Sequence, residues 1–284
     1  MLAAITIAAL LAAAPVNAVM QWSIQATTNG NIGFETRYRA VTTQGNNSSE
    51  DGRDYPAADL ESTFRGLTHA QLFGPETNVR FTVTRQEGSI VCTGRARGGS
   101  ADGDFTFTLD PGFTSQMQSR GVGTVSQERQ MEWLFADADV LGMLDYFKSQ
   151  GFPTPNVELL SSAINHGVSM RYIHDLAAAG MRPLTVEQLV RAVDHGVTPR
   201  AITAFQAYGF SNLAVDQAIA LIDHGVTPNY LTGLAKLGYR VTPDQAIVLA
   251  DHGVTLRYIE KLHDAGYANL SVADLVRLAD HGVH

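Results

Sequence analysis

The chain has 284 residues, 45% of them hydrophobic and 17% charged, with a formal net charge of −8. That balance suits a folded protein of one large or two ordinary domains and excludes wholesale disorder. It also argues against nucleic acid as a partner, because polyanion binding needs a Lys/Arg-rich footprint and no such cluster is present.

Leu2 to Ala14 form an uncharged apolar run, followed by Pro15 and the small-residue triplet Val16-Asn17-Ala18. The pattern predicts a secretory leader over 1–18 with cleavage before Val19, although no Lys or Arg precedes the apolar run. The run is too short for a hydrocarbon core of ~30 Å, and no later stretch approaches the ~18 apolar residues of a spanning helix. No transmembrane span is expected after cleavage. The single cysteine, Cys92, permits no intramolecular disulfide, so the fold must be held by its core. Its setting, Ile90-Val91-Cys92, reads as that of a buried, inert thiol.

From Val19 to about Asp110 apolar residues mostly recur at every second position. Trp22, Ile24 and Ala26 form one run, Ile32 and Phe34 begin another, and Val79, Phe81 and Val83 a third. Ile90 to Thr93 reads as a returning strand, and Phe105, Phe107 and Leu109 as the last. Such alternation predicts half-buried strands in a mainly antiparallel sheet. Gln86 to Ser89 and Gly98 to Gly103 read as turns, and the polar stretch Gln44 to Gly52 as a long mobile loop. Short helices are expected within Leu60–Phe73 and Pro111–Gln118. Gly94, Gly98, Gly99 and Gly103 lack the Gly-Lys-Ser/Thr of a phosphate loop and are assigned to hairpin turns. Asp102 and Asp104 lack the remainder of a calcium loop and are assigned to the turn at Gly103.

The C-terminal half is a repeat. His-Gly-Val recurs at His166, His195, His224, His252 and His281, at intervals of 29, 29, 28 and 29 residues. A second glycine recurs in step, at Gly151, Gly180, Gly209, Gly238 and Gly266. A fixed period with two glycine stops predicts a solenoid of two-helix units. Thr198 and Pro199 suit an N-cap and a first helical position. Val197 and Ile202 have the spacing of a hydrophobic staple, as have Val168/Ile173, Val226/Leu231 and Val254/Ile259. Thr185 to Gln188 and Thr242 to Gln245 read as capping boxes; Ser271 also caps, and Ala214 is a defective copy. The inward face of these second helices is expected at Leu189, Val190 and Val193 and their counterparts. A degenerate unit is expected from Ser126, with Asp137-Ala138-Asp139-Val140 in place of Asp-His-Gly-Val.

The candidate interaction or corner residues are Asp194, His195, Arg200, Asp223, His224, Asp251, His252 and Arg257. One reading is structural, with each histidine satisfying end carbonyls and each aspartate accepting from the next helix's N–H groups or pairing with an arginine. A second treats the histidine column as metal ligands, against which stands the distance between successive repeats, and a third leaves one column exposed for a partner. No His-Glu-x-x-His, Gly-x-Ser-x-Gly or Ser-x-x-Lys pattern is present, and no catalytic residue, cofactor or metal is expected.

Units of the form His-Gly-Val-Thr-Pro…Tyr-Ile/Leu…Gly-Tyr…Asp-His-Gly-Val resemble those at the C-terminal end of some bacterial beta-lactam-sensor-type membrane metalloproteases and of many exported bacterial proteins. The resemblance covers about Asn156 to His284, and more loosely Val79 to Phe113. The protease's membrane helices and zinc motif are absent, so it implies an accessory sensing or interaction module. The expected architecture is α+β: a leader over 1–18, a mainly antiparallel β domain over 19–120, and an all-α helical-hairpin array over 121–284. The expected function is a non-enzymatic periplasmic or secreted module binding a protein or other envelope macromolecule. The rival is a small-ligand- or metal-binding protein with a site at the domain junction, and a weaker third is a hydrolase with a non-local site.

Overall fold

The computed structural model describes residues 18–42, 45–267 and 269–282. Residues 1–17, which carry nearly all of the expected leader, lie outside this set. The chain divides into two compact units, Met1–Leu141 and Gly142–His284.

The first unit is built on six antiparallel strands: β1 (Ala18–Ala26), β2 (Asn31–Thr42), β3 (Gly45–Pro56), β4 (Thr77–Arg85), β5 (Gly88–Arg97) and β6 (Ser100–Leu109), in the spatial order β3-β2-β1-β6-β5-β4. Period-two alternation puts Trp22 and Ile24, Ile32 and Phe34, Val79, Phe81 and Val83, Ile90 and Cys92, and Phe105 in the buried core. Burial pushes the Cys92 thiol's pKa up, as expected of an inert cysteine. Three short helices, α1 (Leu60–Thr63), α2 (His69–Phe73) and α3 (Phe113–Ser119), follow the expected placement. Leu60, Phe64, Leu67 and Leu72 join the sheet's core.

Two local readings are corrected. The polar stretch taken for a mobile loop is strand β3, paired along its length with β2 from Asn31↔Pro56 to Thr42↔Gly45; Gln44 lies outside the described residues. Polar residues suit an edge strand whose ladder bonds come from the backbone. The other correction concerns Gly94 and Gly103, which lie within β5 and β6 and pair with each other, leaving Gly98 and Gly99 alone to make the turn. Asp102 and Asp104 accordingly belong to β6. A Cβ on Gly94 would stand 1.9 Å from the Asp102 carbonyl oxygen, so the glycines permit a close strand approach. The Trp22 indole Nε1 donates beside this pair to the carbonyls of Thr93 (3.2 Å) and Asp104 (3.0 Å).

The remaining elements are helices of nine or ten residues: α4 (Gln127–Phe135), α5 (Val140–Ser149), α6 (Val157–Asn165), α7 (Met170–Ala178), α8 (Val186–Asp194), α9 (Pro199–Tyr208), α10 (Val215–Asp223), α11 (Pro228–Lys236), α12 (Pro243–Asp251), α13 (Leu256–Asp264) and α14 (Val272–Asp280). In the second unit, α6, α8, α10, α12 and α14 each neighbour the next of their kind, and so do α7, α9, α11 and α13. The N-caps read at Thr198, Thr185 and Thr242 form: Thr198 accepts from the third helical N–H, as do Ser169, Thr227 and Thr255 at the equivalent places, and Thr185 and Thr242 complete capping boxes. At Ala214 only the Gln217 half remains, its Oε1 accepting from Ala214 N–H at 3.1 Å.

The His-Gly-Val corners after α6, α8, α10 and α12 close in the same way. At the end of α8 the Gly196 N–H donates to the Val193 carbonyl at 2.9 Å and the Val197 N–H to the Ala192 carbonyl at 2.8 Å, with Gly196 at φ 69°. This is the Schellman arrangement, in which a left-handed residue folds the chain back onto the last turn. It lays Val197 over Ala192, and the buried positions of α8 are Val186, Leu189 and Ala192, whereas Val190 and Val193, expected to face inward, are half-buried. Leu221 and Leu249 repeat the pattern in α10 and α12.

The degenerate unit is phased differently from the expectation. Asp137, at φ 51°, occupies the glycine position after α4, so Phe135-Ala136-Asp137-Ala138 stands where Asp-His-Gly-Val stands elsewhere. Aspartate enters the left-handed region more readily than most residues, which hides the corner from a search for glycine. Leu134 and Phe135 pack into the sheet's core, placing α4 with the first unit.

The corner geometry sets an order of stability loss. Gly225 lies at φ 72°, and a Cβ added there would meet nothing within 4 Å, so backbone strain alone opposes substitution. Gly225→Ala should therefore cost about 1 kcal/mol or more, and His224→Gln less, both variants remaining folded. Equilibrium urea unfolding of the two variants checks the order.

Candidate functional site

The candidate residues lie along one column of corners. Each helix ends on the aspartate, and the histidine is the cap residue whose backbone N–H continues the helix, as in His195 N–H to Arg191 carbonyl at 3.0 Å. The histidine side chains do not reach end carbonyls. Instead the Nδ1 of each meets the carboxylate of the following repeat's aspartate: His166–Asp194 at 2.6 Å, His195–Asp223 at 2.8 Å, His224–Asp251 at 2.6 Å and His252–Asp280 at 2.7 Å. Adjacent Asp and His of one repeat point apart, as expected from helical geometry. These side chains join neighbouring repeats.

The arginines stand outside the pattern. At each helix start the third N–H donates to the cap hydroxyl of Ser169, Thr198, Thr227 or Thr255, and the corner aspartates turn instead to the histidines of the preceding repeat. Arg171 reaches Asp175 on its own helix at 3.7 Å, while Arg200 and Arg257 have no side-chain partner among the described residues. The expected Asp–Arg corner pair is thus replaced by an inter-repeat Asp–His pair.

A second inter-repeat connection escaped the sequence reading. Tyr172 Oη donates to the Val197 carbonyl at 2.7 Å and Tyr230 Oη to the Val254 carbonyl at 2.6 Å. Burial pushes both phenols up to about 12. The signal was the recurrence of tyrosine at the third position of α7, α11 and α13. Arg191 on α8 and Asp216 on α10 add a cross-repeat ion pair at 2.8 Å.

What can the histidine column do chemically? Each Nδ1 faces a carboxylate, the relation that fixes ring orientation in many metal sites. Among the described residues, however, no three His, Cys, Asp or Glu side chains converge as ligands of one ion. Both partners of every rung are 40–48% exposed, so each contact is screened by water.

The first unit holds a polar cluster that sequence reasoning also missed. Arg85 Nε lies 2.8 Å from Asp137 Oδ1, and its guanidinium also donates to the Leu134 and Phe135 carbonyls and, at 3.0 Å, to Tyr55 Oη. Tyr55 Oη donates to Asp137 Oδ2 at 2.6 Å, and burial pushes the phenol up to about 12. Arg53 donates to the Ala136 carbonyl at 2.6 and 3.0 Å. Two cations thus satisfy the carbonyls at the end of α4, where the helix dipole favours positive charge. Beside them, in the β4–β5 turn, Glu87 is fully buried with neither carboxylate oxygen hydrogen-bonded. Its backbone carbonyl accepts from Asp110 N–H and from Gln130 Nε2, both at 2.7 Å. Burial raises the Glu87 carboxyl to about 7, with its own backbone N–H and Arg85 opposing and Asp137 and Asp139 reinforcing the shift.

Two measurements follow. Because the folded-state value of Glu87 lies above the ordinary 4.5, the folded protein retains a proton that the unfolded chain releases. The associated stability is full below pH 4.5 and is lost as pH rises through 7. Glu87→Gln should therefore stabilise the fold more at pH 8 than at pH 5, with a difference in unfolding free energy of at most about 3 kcal/mol read from urea unfolding at the two pH values; equal effects would contradict the assignment. For the rungs, a double-mutant cycle of His195→Gln with Asp223→Asn should give a coupling below about 1 kcal/mol, the range of exposed pairs.

No family model matches the chain, and no curated protein matches it.

Proposed function

We propose that the protein is an exported, non-enzymatic repeat module that binds a protein or other macromolecule of the cell envelope. The observation carrying this reading is the array itself, in which like corners present a column of exposed His–Asp pairs at a near-constant interval. Repeat arrays of this kind offer an extended periodic surface, suited to a large partner. The apolar leader pattern before Val19 supports export, and among the described residues no helix is long and apolar enough to cross a membrane. The likeness of the units to repeats accompanying membrane metalloproteases supports an accessory role.

The test uses the chain from Val19 to His284, immobilised and exposed in parallel to envelope and cytosolic extracts of the source cell. The expected result is selective retention of an envelope component, displaced by free protein and weakened when His195, His224 and His252 are together replaced by glutamine. Retention that is unselective, or indifferent to those replacements, would remove the column from the binding face.

A further inference from the structure

Hairpin turns ordinarily run over a protein's surface. The turn Gln86–Glu87, between β4 and β5, is instead tied down on both sides. The Glu87 carbonyl accepts from the Asp110 N–H and from Gln130 Nε2, both at 2.7 Å, and Gln130 Nε2 also donates to the Asp110 carbonyl at 2.8 Å. Gln86 Oε1 accepts from the Leu141 N–H at 3.0 Å, and its Nε2 donates to Asp139. Leu141 is the second residue of α5, where an N–H has no partner within its own helix. One turn thus holds α4 through Gln130 and the start of α5 through Leu141.

An acid sits inside this clamp. Glu87 is fully buried, and neither of its carboxylate oxygens has a hydrogen bond. A carboxylate in such a place either keeps a proton or moves to water, because nothing there replaces its hydration. Its own backbone N–H and Arg85 favour the ion, but burial outweighs them. On β4, the Arg85 guanidinium is committed to Asp137, to Tyr55 and to the Leu134 and Phe135 carbonyls. From β3, Arg53 serves the Ala136 carbonyl. The corner after α4 brings two further carboxylates, Asp137 and Asp139, which oppose another negative charge. On α4, Arg129 pairs with Glu132, and Glu128 is exposed. The Asp110 carboxylate accepts from the Gly112 N–H, and neither α3 nor Gly88 to Val91 of β5 carries an ionisable side chain.

Ionisation of Glu87 weakens the unit as a whole; the bonds of the turn decide where it yields first. We propose that the β4–β5 turn is a proton-operated latch: with Glu87 protonated it stays seated and clamps Gln130 and Leu141, and with Glu87 ionised it swings out to water and frees both. The movement is local, because the Arg85↔Gly88 rung closes the ladder behind the turn, and Leu134, Phe135, Arg53 and Arg85 still hold the end of α4. The latch is independent of the macromolecular interaction proposed above.

Amide hydrogen exchange of the full chain, followed by nuclear magnetic resonance at about pH 5 and about pH 8, tests this once rates are corrected for the intrinsic effect of base. Protection of the Leu141 amide should fall by about tenfold or more between the two conditions, while amides of the β1–β2 ladder fall less. Glu87→Gln should keep the latch shut, with equal Leu141 protection at both. Gln86→Ala, which removes the acceptor and leaves the acid in place, should expose Leu141 at both. An equal loss at Leu141 and along the β1–β2 ladder would mean global opening and would overturn the latch. So would a Leu141 amide indifferent to pH in the parent chain, a pH dependence that survives Glu87→Gln, or full Leu141 protection in Gln86→Ala.

Discussion

Helices of nine residues are too short to persist in water, because nucleation costs more than so few hydrogen bonds return. The array therefore depends on the left-handed glycine corner that ends them. At each corner a six-residue backbone bond, such as Val226 N–H to the Leu221 carbonyl at 2.8 Å, returns the chain over its last turn and fixes where the next helix starts. Constant corners make constant repeats. That constancy lets a histidine in one unit meet an aspartate in the next, and a tyrosine meet a corner carbonyl, four and two times over among the described residues.

The first unit meets the same physical demand by other means. The end of α4 lacks glycine and histidine, yet its carbonyls still require partners. Asp137 takes the left-handed conformation, and Arg53 and Arg85 supply the missing donors from the sheet. The cost of this arrangement is concentrated in one place. Glu87 is carried into the interior by the β4–β5 turn without a hydrogen bond for its carboxylate, while its backbone is held by Gln130 and Asp110. The charge cluster thus anchors a helix and leaves a neighbouring acid sensitive to pH.

The exposed rungs contribute little energy individually, since water competes for both partners. Their significance lies in regularity: histidine and aspartate are paired with each other at successive corners along the array. Arg191 with Asp216 adds an ion pair between two second helices, α8 and α10.

Sequence by itself determined the elements whose causes are local. Period-two alternation placed the core strands, hydroxyl caps and prolines placed the helix starts, and the interval between glycines marked out the hairpin repeat, because each of these depends on residues close together along the chain. It misjudged elements whose cause is a distant neighbour. Strand β3 has no apolar pattern, being an edge held by backbone bonds to β2. Gly94 and Gly103 look like turn residues until β5 and β6 are laid side by side. Asp137 passes for part of a corner motif in the wrong phase because its left-handed backbone is supported by Arg85 and Tyr55 from other strands. The candidate column was legible as a periodicity, but which residue each member touches was not. His195 and Asp223 are 28 residues apart and meet only when two repeats are stacked, and stacking is a property of packed surfaces that no stretch of sequence contains.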